Sequence, residues 1–396
     1  MRIALFNAIY PTPLQPHILG GAEVLLRILA ERLVAAGHEV MVVRLANDGV
    51  RCSEQVAGVR VEFVPPRNLF LPFGPKRSAL AHVAWHVVDD WYRAHSDVGG
   101  LLDAFRPDVV NTHTLNGLSA EIWALARSRR LPLVHTLHDY YLLCPRCSRA
   151  KGGHVCSRTC TECSLLTLRR RMRSDLVQAV VSVSRRTLDL HLEVGLFANA
   201  SQHVIYNVAH PDLSLQPMRP VSPPVTIGYM GRFSPEKGVR PLVEAVSRLP
   251  RGSVRLVLAG RASEEERAAL AALASGADLE FMGFVTPPQF YARVDVAVVP
   301  SLWEEPGALV VLDALRAGRP VVLTRFGGMP EMIQDGLNGW IAPTADVEGL
   351  ETILWRIVEQ PGLLSAAHAA IAAAQPRRPE DLVKEYLSVY DAVRAA

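Results

Sequence analysis

The sequence predicts an α/β protein with two doubly wound domains, each built on a parallel sheet. Short β-rich apolar runs alternate with longer helical patterns along the chain, which is typical of parallel-sheet architecture. A proline-rich stretch interrupts this alternation, and the same pattern starts again after it. A chain of 396 residues is also long for one hydrophobic core and fits two domains of ordinary size.

In the first half, apolar β-rich runs predict strands that are separated by helical or loop sequence. The segment "GGAEVLLRILAERLVAAGH" follows the first strand and places its apolar side chains on one helical stripe, with Gly37 as a stop signal. The predicted strands are 2–6, 39–43, 59–64, 109–111, 133–136, 179–182 and 202–205. We therefore assign residues 1–210 to a first domain, with a cysteine-rich insertion at 144–163.

The stretch "HPDLSLQPMRPVSPPVT", residues 210–226, has the composition of an interdomain linker. After it, the runs "VTIGYMG", "VRLVLAG", "LEFMGFV", "VDVAVVPS" and "RPVVLT" predict further strands, each followed by helical or loop sequence. Residues 211–378 are therefore predicted to form a second domain. The final segment, 379–396, is a predicted helix that could pack on either domain.

Composition excludes several classes of protein. Lys and Arg number 42 against 39 Asp and Glu, and the resulting charge of +3 is too mild for a nucleic-acid binder. No stretch approaches the roughly 18 apolar residues of a membrane-spanning helix. The start "MRIALFNAIYPTP" breaks at Pro11 and lacks a small-residue cleavage site, so we expect a first strand rather than a signal peptide. A cytoplasmic protein is expected.

The first loop with a chemical signal is "GRFSPEKG", residues 231–238, which follows a predicted strand. Ligands of open parallel sheets bind where such loops leave the carboxyl ends of the strands. Its two glycines allow tight backbone paths, and Arg232 and Lys237 can converge on one anion. The pair would neutralise charge on a departing diphosphate, as a metal ion would. The alternative is a solvated turn with ordinary surface charges.

The segment "WEEPGALVVLDALRAG", residues 303–318, also follows a strand. It predicts a helix beginning near Gly307, whose free N–H groups would favour a phosphate. Glu305 precedes this helix, and Asp313 should lie roughly 12 Å further along its axis. A nucleotide sugar has the length to be held at both ends, by its sugar and its ribose hydroxyls. Glu305 could instead only complement the helix dipole, but that alternative leaves Asp313 among apolar residues unexplained.

Other strand-end loops carry weaker signals. The glycines at 327–328 could close the sugar side of a cleft or form only a turn. Gly20 and Gly21 precede the first helix, where the backbone can approach a phosphate or sugar closely. His113 and His138 each follow a strand, although a lone histidine is more often structural.

Together these segments resemble the retaining, nucleotide-sugar-dependent glycosyltransferases of family four. The resemblance implies the GT-B fold, in which two Rossmann-like domains face each other across a cleft. It spans nearly the whole chain and rests on the order and spacing of its motifs. These are GGAE at 20–23, YN at 206–207, GRFSPEKG at 231–238, VLAG at 257–260, GF at 283–284, SLWEEPG and LDA within 301–314, GG-P-E at 327–331 and DG-NG at 335–339. The segment "HDYYLLCP" is similar to a bacterial subgroup that builds polysaccharides or lipid-linked saccharides.

The resemblance implies a role for each matching residue. Arg232 and Lys237 would bind the donor diphosphate. Glu305 would contact the donor-sugar hydroxyls, Asp313 the ribose, and His113 the region of the transferred sugar. The other implied donor-binding positions are Gly20, Gly21, Gly231, Gly283, Phe284, Val285, Gly307, Ala308, Leu309 and Val310. The residues at 283–285 would lie near the base, and the backbone at 307–310 near the phosphates and the sugar.

The implied reaction moves a glycosyl group from a nucleoside diphosphate sugar to an acceptor hydroxyl on a saccharide or lipid-linked saccharide. No cofactor is required for catalysis, and we find no Asp-x-Asp motif that would hold a catalytic metal. Two departures affect donor geometry: Gly307–Ala308 stands where the family commonly has an aromatic residue and glycine, and Asp313 replaces the usual glutamate. The alternatives are a catalytically silent GT-B-like subunit, a non-hydrolysing nucleotide-sugar 2-epimerase, and a zinc-centred interaction protein. In the family, the final helix commonly crosses back onto the first domain.

Five of the six cysteines fall in "CPRCSRAKGGHVCSRTCTEC". In a cytoplasmic chain this density indicates zinc more than disulfides, the alternative being a reduced thiol-rich loop. The preferred ligands of a structural zinc ion are Cys144, Cys156, Cys160 and Cys163, because similar sequences keep these positions; His154 could substitute.

A basic run, "LRRRMRSDL", follows the cysteines directly. Its arginines could contact an anionic membrane surface, at the inner face of the membrane, or a phosphorylated lipid acceptor. A solvated basic helix face is the alternative.

Overall fold

In the computed structural model, the described residues are 1–16, 20–74, 77–91, 96–151, 154–218, 222–374 and 376–396. They form two compact units. The first contains Met1–Arg149, Ser157–Asn207 and Arg378–Ala396, and the second contains Ala150–Cys156 and Val208–Arg377. None of the helices in these ranges is long and apolar enough to cross a membrane.

The first unit is wound around an eight-stranded sheet in the order β10-β9-β6-β5-β1-β2-β4-β3. Its strands are β1 (Arg2–Phe6), β2 (Glu39–Leu45), β3 (Cys52–Val56), β4 (Val59–Val64), β5 (Val109–Thr112), β6 (Leu133–Leu137), β9 (Ala179–Ser182) and β10 (Ser201–Val204). Two short strands, β7 (Ala150–Lys151) and β8 (His154–Val155), pair antiparallel in a separate sheet and belong to the second unit. All pairs in the large sheet are parallel except β3 with β4. The sequence missed β3, because its half-exposed residues carry no apolar run.

Helices cover this sheet. They are α1 (Gly21–Ala35), α2 (Ala79–Trp91), α3 (Ser96–Phe105), α4 (Glu121–Ser128), α5 (Thr161–Leu166), α6 (Leu168–Met172) and α7 (Arg185–Leu192). The amphipathic pattern predicted for α1 is present, since its buried residues include Leu25, Ile28, Leu29 and Leu33.

The second unit is wound around six parallel strands in the order β13-β12-β11-β14-β15-β16. The strands are β11 (Val225–Met230), β12 (Val254–Ala259), β13 (Asp278–Gly283), β14 (Val296–Val299), β15 (Val321–Leu323) and β16 (Gly339–Ile341). The helices are α8 (Val239–Ser247), α9 (Glu264–Leu273), α10 (Pro287–Tyr291), α11 (Leu309–Arg316), α12 (Val347–Glu359) and α13 (Gly362–Ala373). Apolar clusters line both faces of the sheet, as expected for parallel strands between helices.

The last helix, α14 (Pro379–Ala395), belongs to the first unit, where it packs against α1. Its Tyr390 is fully buried, and the hydroxyl accepts a hydrogen bond from the Asn111 side chain at 2.8 Å. Arg32 of α1 pairs with Glu380 at 3.6 Å. Apart from the short segment Ala150–Cys156, the chain therefore enters the second unit after Asn207 and returns to the first at Arg378.

Candidate functional site

The candidate site of the second unit lies where the strand order reverses. The chain runs from β11 to β12 on one side and comes back to β14 on the other side of β11. The loops after β11 and β14 therefore leave the sheet side by side, and this crevice is where open α/β sheets bind ligands. Gly231, which follows β11, donates its N–H to the Ala259 carbonyl at 3.0 Å. The two loops carry Arg232, Lys237 and Glu305.

Glu305 is held by a lysine from the neighbouring loop. The Lys237 ammonium donates to the Glu305 carboxylate in a direct ion pair, and the Ser301 hydroxyl donates to the same oxygen at 3.1 Å. The Lys237 Nζ also lies 5.1 Å from the centroid of the Trp303 ring. Only 9% of the Glu305 side chain is exposed, so its charge needs these partners. The pair fixes one cation and one carboxylate in the crevice.

Arg232 belongs to the same loop as Lys237, but its side chain faces solvent. It is 66% exposed, and its ion-pair partner is Glu236 at 4.0 Å. Its backbone carbonyl accepts a hydrogen bond from the Tyr229 hydroxyl at 2.5 Å, which anchors the loop. The structure therefore brings Lys237 to Glu305 and presents Arg232 as an exposed cation that can approach an anion.

The loop after β15 positions Glu305 through backbone contacts. The Gly328 N–H donates to the Glu305 carbonyl at 2.7 Å, and the Gly327 N–H donates to the Glu304 carboxylate at 2.9 Å. Gly327 has φ +68°, and a Cβ atom there would lie 2.1 Å from the Glu305 carbonyl oxygen. Only glycine fits this position. The turn at Gly327 and Gly328 therefore sets the position of the Glu305 backbone.

The helix that carries Asp313 begins later than the sequence predicts. Its first residue is Leu309, because Ala308 has an extended conformation at φ −77° and ψ 101°. The separation expected between Glu305 and Asp313 assumed a helix from Gly307 and does not apply. The N-cap, Ala308, has no side-chain acceptor, so the first-turn N–H groups, including that of Val310, need partners from outside the helix.

Asp313 is buried on α11 and is hydrogen-bonded to the segment that precedes β11. The His210 N–H donates to the Asp313 Oδ1 at 2.7 Å. Burial raises the pKa of Asp313 to about 7, and the hydrogen bond from His210 offsets part of that rise. The sequence predicts a ligand-binding role for Asp313, and the structure adds its hydrogen bond from the His210 N–H.

An aromatic ring stands at the rim of the same sheet edge. Phe284 follows β13 and is 77% exposed, and the Arg261 guanidinium carbon lies 5.2 Å from its ring centroid. Gly283 has φ +68°, and its carbonyl accepts from the Gly260 N–H at 2.8 Å; Val285 is exposed only in part. Sequence reasoning missed Arg261, although its position directly after the VLAG strand end was a usable signal.

In the first unit, two loops meet at the corresponding reversal, where β1 lies between β2 and β5. Gly20 is the N-cap of α1, and its N–H donates to the carboxylate of Glu23, in the first turn of the helix, at 2.7 Å. A Cβ atom at Gly20 would meet nothing closer than 3.8 Å. Gly20 and Gly21 are both exposed, so the amino end of α1 is open to solvent.

His113 follows β5 and is paired with His138, which follows β6. The His113 Nδ1 and the His138 Nε2 are 2.8 Å apart, and the rings stack at 18°. Burial holds the pKa of His113 well below its usual range and lowers the pKa of His138 to about 4, so both rings are neutral at pH 7. Among the described atoms, the buried His113 Nε2 has no hydrogen-bond partner. A ligand hydroxyl would satisfy it.

The cysteines of the insertion are all free thiols. The Cys163 thiol lies within hydrogen-bonding reach of Cys144 and Cys160, and burial raises its pKa to about 12. The Cys147 sulfur accepts a hydrogen bond from the Asn116 side chain at 3.1 Å, and Cys156 is half-buried. Within the ranges described above, no group of three or more His, Cys, Asp or Glu side chains is arranged to hold a metal ion.

Family models match both halves of the chain. The model described as "Glycosyltransferase Family 4" matches residues 19–213. The model described as "Glycosyl transferases group 1" matches residues 224–360, which carry the crevice of the second unit.

Individual similar proteins match most or all of the chain. An "Uncharacterized 42.6 kDa protein in cps region" of Klebsiella pneumoniae is 29% identical over 84% of this chain and 87% of its own length. The Anabaena protein Alr3699/HepE, solved with UDP and glucose, has a TM-score of 0.71 at 21% identity, covering 99% of this chain and 100% of its own. WaaG, "a glycosyltransferase involved in lipopolysaccharide biosynthesis", has a TM-score of 0.64 at 16% identity, covering 100% of each chain.

Proposed function

Because the chain belongs to the family 4 glycosyltransferases and has the GT-B fold, we propose that it is a retaining enzyme with a nucleoside diphosphate sugar as its donor. The acceptor is a hydroxyl group of a saccharide or of a lipid-linked saccharide. The observation that carries this proposal is the fixed pair of Lys237 and Glu305 beside the exposed Arg232. Cations suited to a diphosphate stand there next to a carboxylate suited to sugar hydroxyls.

Each group then has a separate task. Arg232, Lys237 and the N–H groups at the start of α11 stabilise the negative charge that develops on the diphosphate as its bond to the anomeric carbon breaks. The acceptor oxygen bonds to that carbon on the same face, and its proton passes to the departing phosphate oxygen. Glu305 orients the sugar hydroxyls and is not a nucleophile, because Lys237 and Ser301 already hold its carboxylate.

The remaining assignments rest on the chemistry of the exposed groups. Phe284 offers a ring on which a base can stack, with Arg261 beside it. His113 offers its buried Nε2 to a hydroxyl of the transferred sugar. The saccharide acceptor is supported by two similarities, to a protein of a cps region and to a glycosyltransferase involved in lipopolysaccharide biosynthesis.

The variant Glu305→Gln tests the proposal. We expect turnover of the sugar nucleotide to fall roughly 100-fold, because the sugar hydroxyls lose the carboxylate that orients them. The affinity for the nucleoside diphosphate should stay within a few-fold, since the cations remain. Proton NMR of the first product should show the anomeric configuration of the donor. Unchanged turnover would remove Glu305 from this role, and donor consumption without any acceptor would favour a 2-epimerase.

We also propose a structural zinc ion on the cysteines of the insertion, with Cys144, Cys156, Cys160 and Cys163 as its ligands. The proposal is supported by the adjoining thiols of Cys144, Cys160 and Cys163 in the first unit. The ion would stabilise the insertion and take no part in glycosyl transfer. Metal analysis of protein purified without added zinc should find about one equivalent. A value of zero would contradict it.

A further inference from the structure

Helix α2 buries two carboxylates beside Trp85 and leaves a stripe of apolar side chains exposed. Its charged side chains, Asp89 and Asp90, are buried at 4% and 3% exposure, whereas Leu80 is 82% exposed and Trp91 is 56% exposed. Val83 and Val87 complete the exposed stripe at helical spacing. A helix on the surface of a globular protein normally buries its apolar side chains and exposes its charged ones.

A buried polar network holds α2 in this orientation. The fully buried Arg170 lies 3.5 Å from the Asp90 carboxylate, and its guanidinium carbon lies 3.9 Å from the centroid of the Tyr141 ring. The Asp89 carboxylate accepts a hydrogen bond from the Tyr141 hydroxyl and another from the Asn68 side chain at 3.3 Å. Because unpaired buried charge is costly, α2 cannot turn its apolar stripe inward without breaking these contacts.

The neighbouring helices extend the apolar stripe. Helix α2 packs against α5 and α6, and the Arg169 guanidinium carbon lies 4.8 Å from the centroid of the Trp91 ring. We define the apolar platform as the exposed large side chains of these three helices. They are Leu80, Val83, Val87, Trp91, Leu165, Leu168 and Met172. An exposed apolar cluster of this kind marks an interaction surface.

The rim of the platform carries a positive charge. Arg169 and Arg173 share a single carboxylate, that of Glu121, so one guanidinium charge is left over. Arg171, in the same basic run, donates from its guanidinium to the Val194 carbonyl rather than to a carboxylate. The basic run predicted from the sequence is therefore divided: Arg170 is a buried anchor of α2, whereas Arg169 is 26% exposed and borders the platform beside Trp91.

We propose that the apolar platform docks on the surface of a lipid bilayer that contains anionic lipids. Apolar side chains with a tryptophan at the edge and arginines at the rim match the depth profile of a membrane interface, where the cations meet lipid phosphates. A second copy of the chain fits less well, because a two-fold contact would bring the same arginine rim against itself. This inference rests on exposure and charge, and it holds whatever sugar the enzyme transfers.

Vesicle binding of the full chain tests the proposal. The triple variant Leu80→Ser, Val87→Ser, Met172→Ser removes three exposed platform side chains that are remote from the buried network. The matched control, Leu337→Ser, Trp355→Ser, removes exposed apolar side chains of the second unit. The native protein and the control should sediment with phosphatidylglycerol vesicles at low salt and bind pure phosphatidylcholine much less. The triple variant should lose at least tenfold in partitioning.

Three outcomes would overturn the proposal. The first is that the native protein does not bind phosphatidylglycerol vesicles at low salt. The second is that the triple variant binds these vesicles as well as the control does. The third is that sedimentation shows a dimer for the native protein and a monomer for the triple variant. A second copy of the chain, rather than a bilayer, would then cover the apolar platform. Circular dichroism and nucleotide binding of each variant establish that the fold is intact, so that a loss of vesicle binding reports on the platform itself.

Discussion

Replacing Asp313 by asparagine should change how the stability of the second unit depends on pH. The folded protein holds the pKa of this carboxyl at about 7, against the ordinary value of 3.8, mainly because it is buried. The folded state therefore keeps a proton that the unfolded state releases. The contribution of this group to stability is fully present below pH 3.8 and is lost as the pH rises from there to about 7. An asparagine keeps the acceptor for the His210 N–H and cannot ionise.

The size of the effect follows from the two pKa values. At about 1.4 kcal/mol for each pH unit, the interval between 3.8 and about 7 corresponds to about 4 kcal/mol of unfolding free energy. Asp313→Asn should match the native protein near pH 4 and exceed its stability by an amount that grows up to neutral pH. Its nucleotide affinity should nevertheless fall, since an NH2 group replaces the carboxyl oxygen that the His210 N–H leaves available to the ribose hydroxyls.

Urea denaturation of both proteins between pH 4 and pH 8 measures this difference. Other buried acids, including Asp89 with a pKa raised by burial to about 7, titrate in both proteins and cancel in the comparison. A stability difference that stays constant over this range would show that Asp313 has an ordinary pKa, and it would refute the reasoning.

Two further pairs of substitutions probe the two units, one pair in each. Gly327→Ala should destabilise the protein by roughly 3 kcal/mol and lower turnover, because its Cβ would overlap the Glu305 backbone. Gly336→Ala, at φ +79° with no atom within 4 Å, should cost only about 1 kcal/mol of backbone strain in the same urea titration; equal losses would contradict the close-approach argument. His138→Phe should lower kcat and leave donor KM within a few-fold, whereas His138→Gln, which can still bond His113, should retain more activity. Equal kinetics for the two His138 variants would show that this hydrogen bond does not position His113.

Much of the fold was predictable because parallel strands are buried on both faces and appear as continuous apolar runs. The strands at 2–6, 59–64 and 179–182 have the bounds that the sequence predicts. The edge strand β3 escaped detection, since half-exposed residues pair with β4 through backbone bonds that leave no apolar pattern. The start of α11 was placed two residues early, because an extended Ala308 leaves no signature in the residue type.

The candidate site was predictable in its residues and only partly in its contacts. Strand-end position identified Arg232, Lys237 and Glu305 as candidates, but the sequence could not show that Lys237 binds Glu305 while Arg232 faces solvent. The pairing of His113 with His138 depends on β5 and β6 being neighbours in the sheet. The exposed apolar stripe of α2 could not be predicted for a similar reason. The orientation of this helix depends on Arg170, which pairs with Asp90 from a distant part of the sequence.

The most direct test of the donor site is a thermal-shift comparison with UDP, GDP, ADP, CDP and dTDP. The native protein is compared with the double variant Arg232→Ala, Lys237→Ala. A nucleotide at 100 times its dissociation constant should stabilise the native protein by about 2.7 kcal/mol and leave the variant unchanged. Stabilisation by one of the five would also identify the base. If none stabilises the native protein, with or without a divalent metal, the crevice is not a donor site, and a catalytically silent subunit becomes the better description.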